Sequence, residues 1–316
     1  MQMQRFNRQK ESRIGMHFHV PDPKRVRVLM NTDAKNEADD QYAIVHALLT
    51  PMFMNKGIIA AHFGTGRTTD SMEESYAEVK HVLNLMGDAG EVPVYKGAAH
   101  ALQDEQTPVV SEGADAIIRE ALSDDPHRLF VVFLGPLTDL ASAYQMEPRI
   151  ADRLTAIWIG GGPYPNGRNE FNLSNDIHAA NVVMGSRIPL WQVPQNVYST
   201  MRVSLAELEA RVSPHGEIGK YLFEQLIQFN DDNAHGWPRG ECWGLGDSPV
   251  VSLILDDLEF SDGFVTVPAP RITPEMHYVH HQTERMIRVY RNVDVRFTLE
   301  DMYAKLELFA KKQAAK

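Results

Sequence analysis

Apolar segments that alternate with helical patterns place the strongest constraint on the fold of this chain. Residues 129–134 form a continuous apolar run, which is typical of a strand buried on both faces of a parallel sheet. Further strand-like segments lie at residues 26–32, 57–63, 92–95, 155–159, 188–193, 264–267 and 286–295. Apolar residues at helical spacing follow several of these segments, as at residues 70–86. The alternation predicts an α/β fold with a mostly parallel central sheet flanked by helices.

The length and composition fit one domain. The chain has 316 residues, of which 43% are hydrophobic and 23% charged, as in an ordinary globular protein. It contains no internal repeat and no linker that would divide it. We therefore predict an irregular N-terminal arm over residues 1–24 and a single α/β domain over residues 25–316. Residues 231–248, which are rich in Asp, Asn, Gly and Trp, are predicted to form a loop.

Charge and hydropathy exclude several classes of partner. The net charge of −11 argues against a non-specific nucleic-acid binder, which would carry a basic surface. No apolar run approaches the roughly 20 residues needed to span a bilayer. Cys242 is the only cysteine, so an intrachain disulfide is impossible. We expect a cytoplasmic protein that acts on a small molecule, although the basic residues in the arm leave a mitochondrial-type targeting peptide open.

A cluster of acidic residues follows the first predicted strand. Asp33, Glu37, Asp39 and Asp40 lie close together, and a helical pattern begins directly after them. Crowded carboxylates repel one another and are costly to bury. A Ca²⁺ ion removes that cost, because it takes several oxygen ligands in irregular geometry. The simpler alternative is a helix N-cap beside a solvated acidic loop.

Other polar residues also follow predicted strands. Open α/β sheets bind ligands at the carboxyl ends of their strands, so these residues are expected at one edge. The Leu134-Gly135-Pro136 turn exposes backbone carbonyls after one strand, and three glycines follow another. Asp247 precedes the helical pattern at residues 250–255. One metal ion would then take carboxylates from Asp33, Asp40 and Asp247 together with a carbonyl.

Four segments together resemble the nucleoside hydrolase family. They are Asn31-Thr32-Asp33 through Asp39-Asp40, Leu134-Gly135-Pro136-Leu137-Thr138-Asp139, Ile159-Gly160-Gly161-Gly162 with Glu170-Phe171-Asn172, and Gly246-Asp247-Ser248-Pro249. Their order and rough spacing resemble those of the family over about residues 26–300. The resemblance implies hydrolysis of the N-glycosidic bond of a ribonucleoside, with a bound Ca²⁺.

The resemblance also implies a role for individual residues. The metal ligands would be Asp33, Asp40, Asp247 and the carbonyl of Leu134. Asp33 would in addition be the general base on a metal-bound water. The ribose hydroxyls would be bound by Asp39, Glu170 and Asn172, with Asn166 or Asn169 nearer the 5′ end. Members of the family are usually dimers or tetramers, so a homo-oligomer is implied as well.

The sequence departs from the family pattern in two places that bear on the substrate. Five residues separate Asp33 from Asp39, a longer spacing than in the usual signature, and Glu37 within them is predicted to face the site. Gly246 stands where the family often has a histidine that protonates the leaving base. His235 and Trp243 are candidates to do this work or to stack on a base. Ordinary packing is the alternative for the tryptophan.

Two other functions remain open at this stage. The same fold would serve a hydrolase of a different ribosylated or glycosylated metabolite, which the altered spacing and Gly246 favour. A non-catalytic protein that binds a sugar or nucleoside through Ca²⁺ is the second alternative. Retention of Asp33 argues against the binder, because a protein that only binds has no need of a base directed at water.

Overall fold

The computed structural model describes residues 14–16, 19–235, 240–256 and 262–315. A 3-10 helix at Asp22–Lys24 precedes the first strand, and a second one spans Pro148–Asp152. Within the described ranges, no helix combines the length and the apolar character needed to cross a membrane.

Eight strands form the central sheet, in the order β3-β2-β1-β4-β5-β6-β12-β9. All neighbouring pairs in it are parallel except β12 with β9. Two antiparallel pairs, β7–β8 and β10–β11, lie outside it. The strands are β1 Val26–Thr32, β2 Phe53–Ala60, β3 Val94–Lys96, β4 Leu129–Phe133, β5 Thr155–Ile159, β6 Leu190–Val193, β7 Arg202–Ser204, β8 Cys242–Gly244, β9 Phe264–Pro268, β10 Arg271–Ile272, β11 Tyr278–Val279 and β12 Met286–Tyr290.

The helices connect the strands and cover both faces of the sheet. They are α1 Asp40–Leu48, α2 Ser71–Leu85, α3 Glu112–Ala121, α4 Thr138–Met146, α5 Phe171–Asn175, α6 Ile177–Gly185, α7 Gln195–Tyr198, α8 Leu205–Arg211, α9 Gly216–Asp232, α10 Pro249–Leu255 and α11 Val295–Ala314. The predicted α/β class with a mostly parallel, helix-covered sheet is confirmed.

The central strands are buried because the core lies on both faces of the sheet. Every residue of β1 is buried, and every residue of β4 beside it. Along β1, Val28 and Met30 pack in one apolar cluster and Leu29 packs in the other, as the alternation of side chains in a strand requires. Helices α1, α9 and α11 contribute to the first cluster, and α3, α4 and α6 contribute to the second.

The strand order places a crevice next to β1. The chain runs from β1 outward through β2 to β3, and then returns to β4 and continues through β5 to β6. The order therefore reverses between β1 and β4. Ligands of open α/β sheets bind outside the carboxyl ends of the strands at such a point. Residues 33–39 and 134–137 leave the sheet at this position.

The prediction of a loop over residues 231–248 was wrong in part. Helix α9 continues to Asp232, and Cys242–Gly244 form β8 against β7. Burial of Trp243 accounts for β8 at this position. Its side chain packs in the apolar core, while its backbone pairs with that of Val203 in β7. Residues 236–239, with Trp237, lie outside the described residues, as do residues 1–13 of the predicted arm.

Candidate active site

Four carboxyl groups lie buried around the carboxyl end of β1. Asp33 follows the strand, Asp39 and Asp40 begin α1, and Asp247 precedes α10. Their exposed fractions are 1%, 8%, 2% and 6%. Carboxylate oxygens of Asp39, Asp40 and Asp247 lie within 4.8 Å of one another. The chain therefore brings its first acidic segment and its late aspartate into one cluster.

Burial raises the pKa of every member of this cluster, and repulsion between carboxylates raises it further for three of them. Burial is the main cause in each case, and the neighbouring carboxylates add to it for Asp33, Asp40 and Asp247. The pKa of Asp40 rises to about 8 and that of Asp39 to about 6, while those of Asp33 and Asp247 lie well above the usual value. A cation bound among these groups would restore their ionised form near neutral pH.

The donor set fits a hard cation such as Ca²⁺. All four side chains offer carboxylate oxygens, the ligand type that Ca²⁺ prefers. Among the described residues, Oδ2 of Asp33 is buried and has no hydrogen-bond donor. Asp40 accepts a hydrogen bond from the hydroxyl of Thr32 through Oδ1, at 2.5 Å. The group of three close aspartates contains Asp39 in addition to the predicted ligands Asp40 and Asp247.

The turn after β4 packs directly against Asp33. A Cβ atom at Gly135 would lie only 2.8 Å from Cγ of Asp33, so a larger residue at 135 would displace the carboxylate. Leu134 anchors the turn to β1 through a 2.9 Å hydrogen bond from its N–H to the carbonyl of Asn31. Its own carbonyl accepts a 2.6 Å hydrogen bond from Nδ2 of Asn172. The carbonyl predicted to bind the metal ion is thus hydrogen-bonded to a residue that is predicted to bind the sugar.

Glu170 and Asn172 fix the carboxyl ends of β4 and β5. The Glu170 carboxylate caps α5 by accepting from the N–H groups of Asn172 and Leu173, and it also accepts from Gly161 N at 2.7 Å. Nδ2 of Asn172 donates to the carbonyls of Leu134 and Ile159. Burial raises the pKa of Glu170, and these donors oppose the rise. The segment is therefore pre-organised beside the acidic cluster.

Tyr198 belongs to the site, although the sequence analysis did not select it. Its hydroxyl donates a 2.8 Å hydrogen bond to Oε1 of Glu170. A Cβ atom at Gly246 would lie 3.0 Å from Cδ2 of the tyrosine ring and 3.5 Å from Oδ2 of Asp39. The ring thus occupies the space that a side chain at 246 would enter. The sequence feature that could have indicated Tyr198 is its position soon after β6, because residues that follow parallel strands converge at this edge of the sheet.

These groups enclose one cavity at the switch point of the sheet. Besides the four aspartates, Glu170, Asn172 and Gly246, its walls include Asn36, Glu37, Leu134, Ile159, Phe171 and Tyr198. Glu37 is half-buried, and its charge adds to the rise in the pKa of Asp33 and Asp247. Phe171 is 42% exposed and places an aromatic ring at the cavity wall. The cavity combines carboxylates, two side-chain amides and two aromatic residues, which suits a polyhydroxylated ligand with a flat substituent.

Four residues predicted to bind substrate are not among the residues that line this cavity. Asn166 and Asn169 are exposed, and the backbone carbonyl of Asn166 accepts from Tyr278 N at 2.9 Å. His235 is exposed just beyond the end of α9. Trp243 is buried and packs edge-to-face on Phe229, with the ring centroids 5.7 Å apart. None of the four is among the residues described above as walls of the cavity.

Comparison with known proteins decides the family. Residues 28–302 match the profile described as inosine-uridine preferring nucleoside hydrolase, which is most of the chain. The chain belongs to this nucleoside hydrolase family. All four aspartates of the cluster, together with Glu170 and Asn172, fall inside the matched range.

Relatives of the nucleoside hydrolase family match this chain at low identity. Probable uridine nucleosidase 2 of Arabidopsis thaliana is 23% identical over 184 residues, or 56% of this chain. Pyrimidine-specific ribonucleoside hydrolase RihB of Escherichia coli is 29% identical over 172 residues, or 53% of this chain. The matches span 57% and 51% of those two proteins, little more than half of their length. The solved structure of a plant nucleoside hydrolase superposes with a TM-score of 0.73 at 20% identity, covering 90% of this chain and 99% of the other.

Proposed function

We propose that this protein hydrolyses the N-glycosidic bond of ribonucleosides and releases ribose and the free base. The observation that carries the proposal is the buried cluster of Asp33, Asp39, Asp40 and Asp247, which shares one cavity with Glu170 and Asn172. Membership of the nucleoside hydrolase family supports the reaction class. A cytoplasmic homo-oligomer, dimer or tetramer, is part of the proposal.

The cluster is the proposed site for one Ca²⁺. Asp33, Asp40, Asp247 and the carbonyl of Leu134 would hold the ion, and the proximity of Asp39 to two of these carboxylates makes it a further candidate ligand. When bound, Ca²⁺ supplies positive charge that keeps the carboxylates ionised and lowers the pKa of water. The unpaired oxygen of Asp33 is then free to act on a water molecule.

Asp33 acts as the general base in this proposal. As a water molecule attacks the anomeric carbon, one of its protons passes to the Asp33 carboxylate. The water oxygen forms the new bond to that carbon, and the carbon–nitrogen bond breaks with its electron pair going to the base. The departing base takes one proton from solvent, and Asp33 later returns to solvent the proton that it took from the attacking water, so the number of protons balances. Gly135 keeps the carboxylate in position, because its missing side chain leaves room for it.

Glu170 and Asp39 act on the sugar. The transition state of glycoside cleavage has oxocarbenium character, so negative charge beside the ring stabilises it. Four donors, including the Tyr198 hydroxyl, favour the ionised form of the Glu170 carboxylate and so oppose the rise in its pKa caused by burial. Asp39 is fixed by a 3.2 Å hydrogen bond from Asp247 N to its Oδ2. The proposed reaction uses neither Trp243 nor His235 as an acid, because one packs in the core and the other is exposed beyond α9.

A nucleoside panel tests the proposal. The protein is incubated with purine and pyrimidine ribonucleosides in the presence of Ca²⁺, and free ribose is assayed. Release that stops after treatment with a chelator and returns with added Ca²⁺ is the expected result. A protein that binds ribose but releases none from any nucleoside contradicts the proposal and favours the binding protein. Release only from other ribosides or glycosides favours the alternative hydrolase.

A further inference from the structure

Asn36 lines the cavity of the candidate site and carries a buried amide oxygen that has no hydrogen-bond partner among the described residues. The residue is 6% exposed and lies in the loop between Asp33 and Asp39. Among the described residues, no donor lies within hydrogen-bond distance of its buried Oδ1 atom. A buried acceptor that loses water without gaining a partner carries a free-energy cost, so such groups call for an explanation.

Hydrogen bonds hold the backbone of the loop that carries Asn36 on both sides, which argues against a freely moving loop. The N–H of Asn36 donates to the carbonyl of Asp33 at 2.8 Å, and its own carbonyl accepts from the guanidinium of Arg67. The flanking carbonyls of Ala34 and Ala38 accept from side-chain amides of two helices. Those amides are Nε2 of Gln41, at 2.7 Å, and Nε2 of Gln225, at 2.8 Å.

A salt bridge fixes the same loop from a third direction. Nζ of Lys35 lies 3.1 Å from Oε2 of Glu78 on α2, and Oε1 of Glu78 also accepts from Gln41 at 3.1 Å. The backbone around Asn36 is therefore anchored to α1, α2 and α9. A rigid backbone holds Asn36 in a defined position at the cavity wall, which is a condition for selective binding of a ligand group.

We propose that Asn36 is a substrate-binding residue whose Oδ1 atom accepts a hydrogen bond from a neutral donor of the substrate. Such a donor is either a hydroxyl of the sugar or an N–H of the base. The inference rests on the proposed function, because it places the substrate in the same cavity. It assigns a recognition role to the lengthened spacing between Asp33 and Asp39. A site built to bind a donor discriminates strongly against analogues that lack it, since the buried acceptor is then left unpaired.

The variant Asn36→Leu tests this role, because it removes the amide while keeping a similar size. With the parent ribonucleoside we expect kcat/KM to fall by about 5- to 20-fold, mostly through KM, as for the loss of one buried hydrogen bond. Gln145→Met is the matched control. Gln145, on α4, also has a buried unpaired amide oxygen but is not among the residues that line the cavity, so its substitution should leave KM unchanged.

Substrate analogues identify the partner of the amide. Wild type and Asn36→Leu are compared on 2′-deoxy, 3′-deoxy and 5′-deoxy nucleosides and on 4-nitrophenyl β-D-riboside, which has no base N–H. If a sugar hydroxyl is the partner, the penalty of the substitution disappears with the one analogue that lacks it. If the base is the partner, the penalty disappears with the nitrophenyl riboside. An equal penalty on every substrate, or none on the parent, overturns the inference.

Two further measurements separate this inference from its alternatives. Calcium titration by calorimetry should give the same dissociation constant for wild type and Asn36→Leu. Weaker Ca²⁺ binding in the variant would make Asn36 a metal ligand and overturn the inference.

If wild type releases no ribose from any nucleoside, the proposed function fails independently of the inference about Asn36. The dissociation constants of D-ribose and its deoxy analogues for both proteins then test whether Asn36 binds the sugar. Equal values in both proteins, or no binding to either, overturn the inference about Asn36.

Discussion

The Tyr198 hydroxyl donates a 2.8 Å hydrogen bond to Oε1 of Glu170, and its ring packs over Gly246. One side chain thus links the carboxylate proposed to face the sugar with the backbone that carries Asp247. Burial and the negative charge of Glu170 raise the pKa of Tyr198 well above its usual value. The hydroxyl therefore stays protonated and acts as a donor, which suits a positioning residue better than a general acid.

Tyr198→Phe is expected to weaken catalysis and to move its pH dependence. Loss of one hydrogen bond to a charged group should lower kcat/KM by about tenfold. Burial already raises the pKa of Glu170, and the tyrosine opposes this, so its removal raises that pKa further. Activity that needs ionised Glu170 is lost as the pH falls through its pKa, so the acid limb of the pH–rate profile should move to higher pH. Tyr221→Phe is the control, because it removes the hydrogen bond from the Tyr221 hydroxyl to Glu78, which is not among the residues that line the cavity. It should leave the acid limb of the pH–rate profile in place.

Asp33→Asn is expected to abolish turnover while stabilising the metal-free protein. Removal of the general base should lower kcat by about 10²- to 10⁴-fold. The substitution also removes a buried charge whose ionised form is disfavoured by burial and by Asp40. Thermal unfolding in the presence of a chelator should therefore give a higher Tm than wild type. Unchanged turnover would exclude Asp33 as the base.

Asp139→Asn is the contrasting variant for that stability measurement. Asp139 is equally buried, but its carboxylate accepts from Asn31 Nδ2, Ala98 N and Ser111 Oγ at 2.9, 2.9 and 2.6 Å. An amide at this position loses an acceptor oxygen, so the Tm should fall by several degrees. A rise for both variants would mean that general relief of charge, rather than crowding at the site, explains the effect of Asp33→Asn.

The stability of the metal-free protein should fall as the pH rises. The folded-state pKa of Asp40 is raised from 3.8 to about 8, so folding favours its protonated form. The stability that this contributes is fully present below pH 3.8 and is lost as the pH rises through about 8. Asp40→Asn mimics the protonated form, so its Tm advantage over wild type should grow across this window. Measurements with a chelator at several pH values check this, and saturating Ca²⁺ should reverse the trend.

Gly246→Ala is expected to impair catalysis through Tyr198. The new Cβ atom would lie 3.0 Å from the ring, so the ring must move and pull on its bond to Glu170. Displacement of a positioned group by a fraction of an ångström should lower kcat/KM by about tenfold. Gly185→Ala is the control. A Cβ atom at 185 meets no heavy atom within 4 Å apart from its chain neighbours and the backbone of its own helix, so this substitution should leave kcat/KM unchanged. Equal activity of both variants would show that the ring position is unimportant.

The sequence predicted the parts of the fold that depend on local pattern. The apolar segments at β1 and β4 are buried on both faces, as their continuous hydrophobicity indicated. Helices α5 and α6 were not predicted, because the polar Asn175-Asp176 pair interrupts the apolar period and Asp176 caps the second helix through Ala179 N. Trp243 was selected from the composition of its segment, whereas its burial depends on pairing with β7, about 40 residues earlier in the chain.

Individual contacts in the candidate site were less predictable than its acidic members. Asp33 and Asp40 were selected as crowded carboxylates after the first predicted strand and Asp247 as a carboxylate before a helical pattern, and the resemblance to the nucleoside hydrolases implied that all three bind one metal ion. Tyr198 escaped selection, because its role depends on the absence of a side chain at Gly246, some 50 residues later. The proposed role of Asn36 likewise rests on a buried amide oxygen without a hydrogen-bond donor among the described residues, and the sequence does not show this. Such relationships are properties of packing between distant segments and have no local signature.

The hydrogen bond between Asp247 N and Oδ2 of Asp39 joins the first and the last thirds of the chain. The acidic cluster therefore cannot assemble during synthesis until the segment that carries Asp247 has emerged and docked. An incompletely folded chain has Asp33, Asp39 and Asp40 but lacks their late partner, and so would offer a cation fewer ligands than the complete cluster. A cation bound by the whole cluster would stabilise only the finished fold. Binding of the ion would then indicate that the chain has folded completely as well as that the active site is assembled.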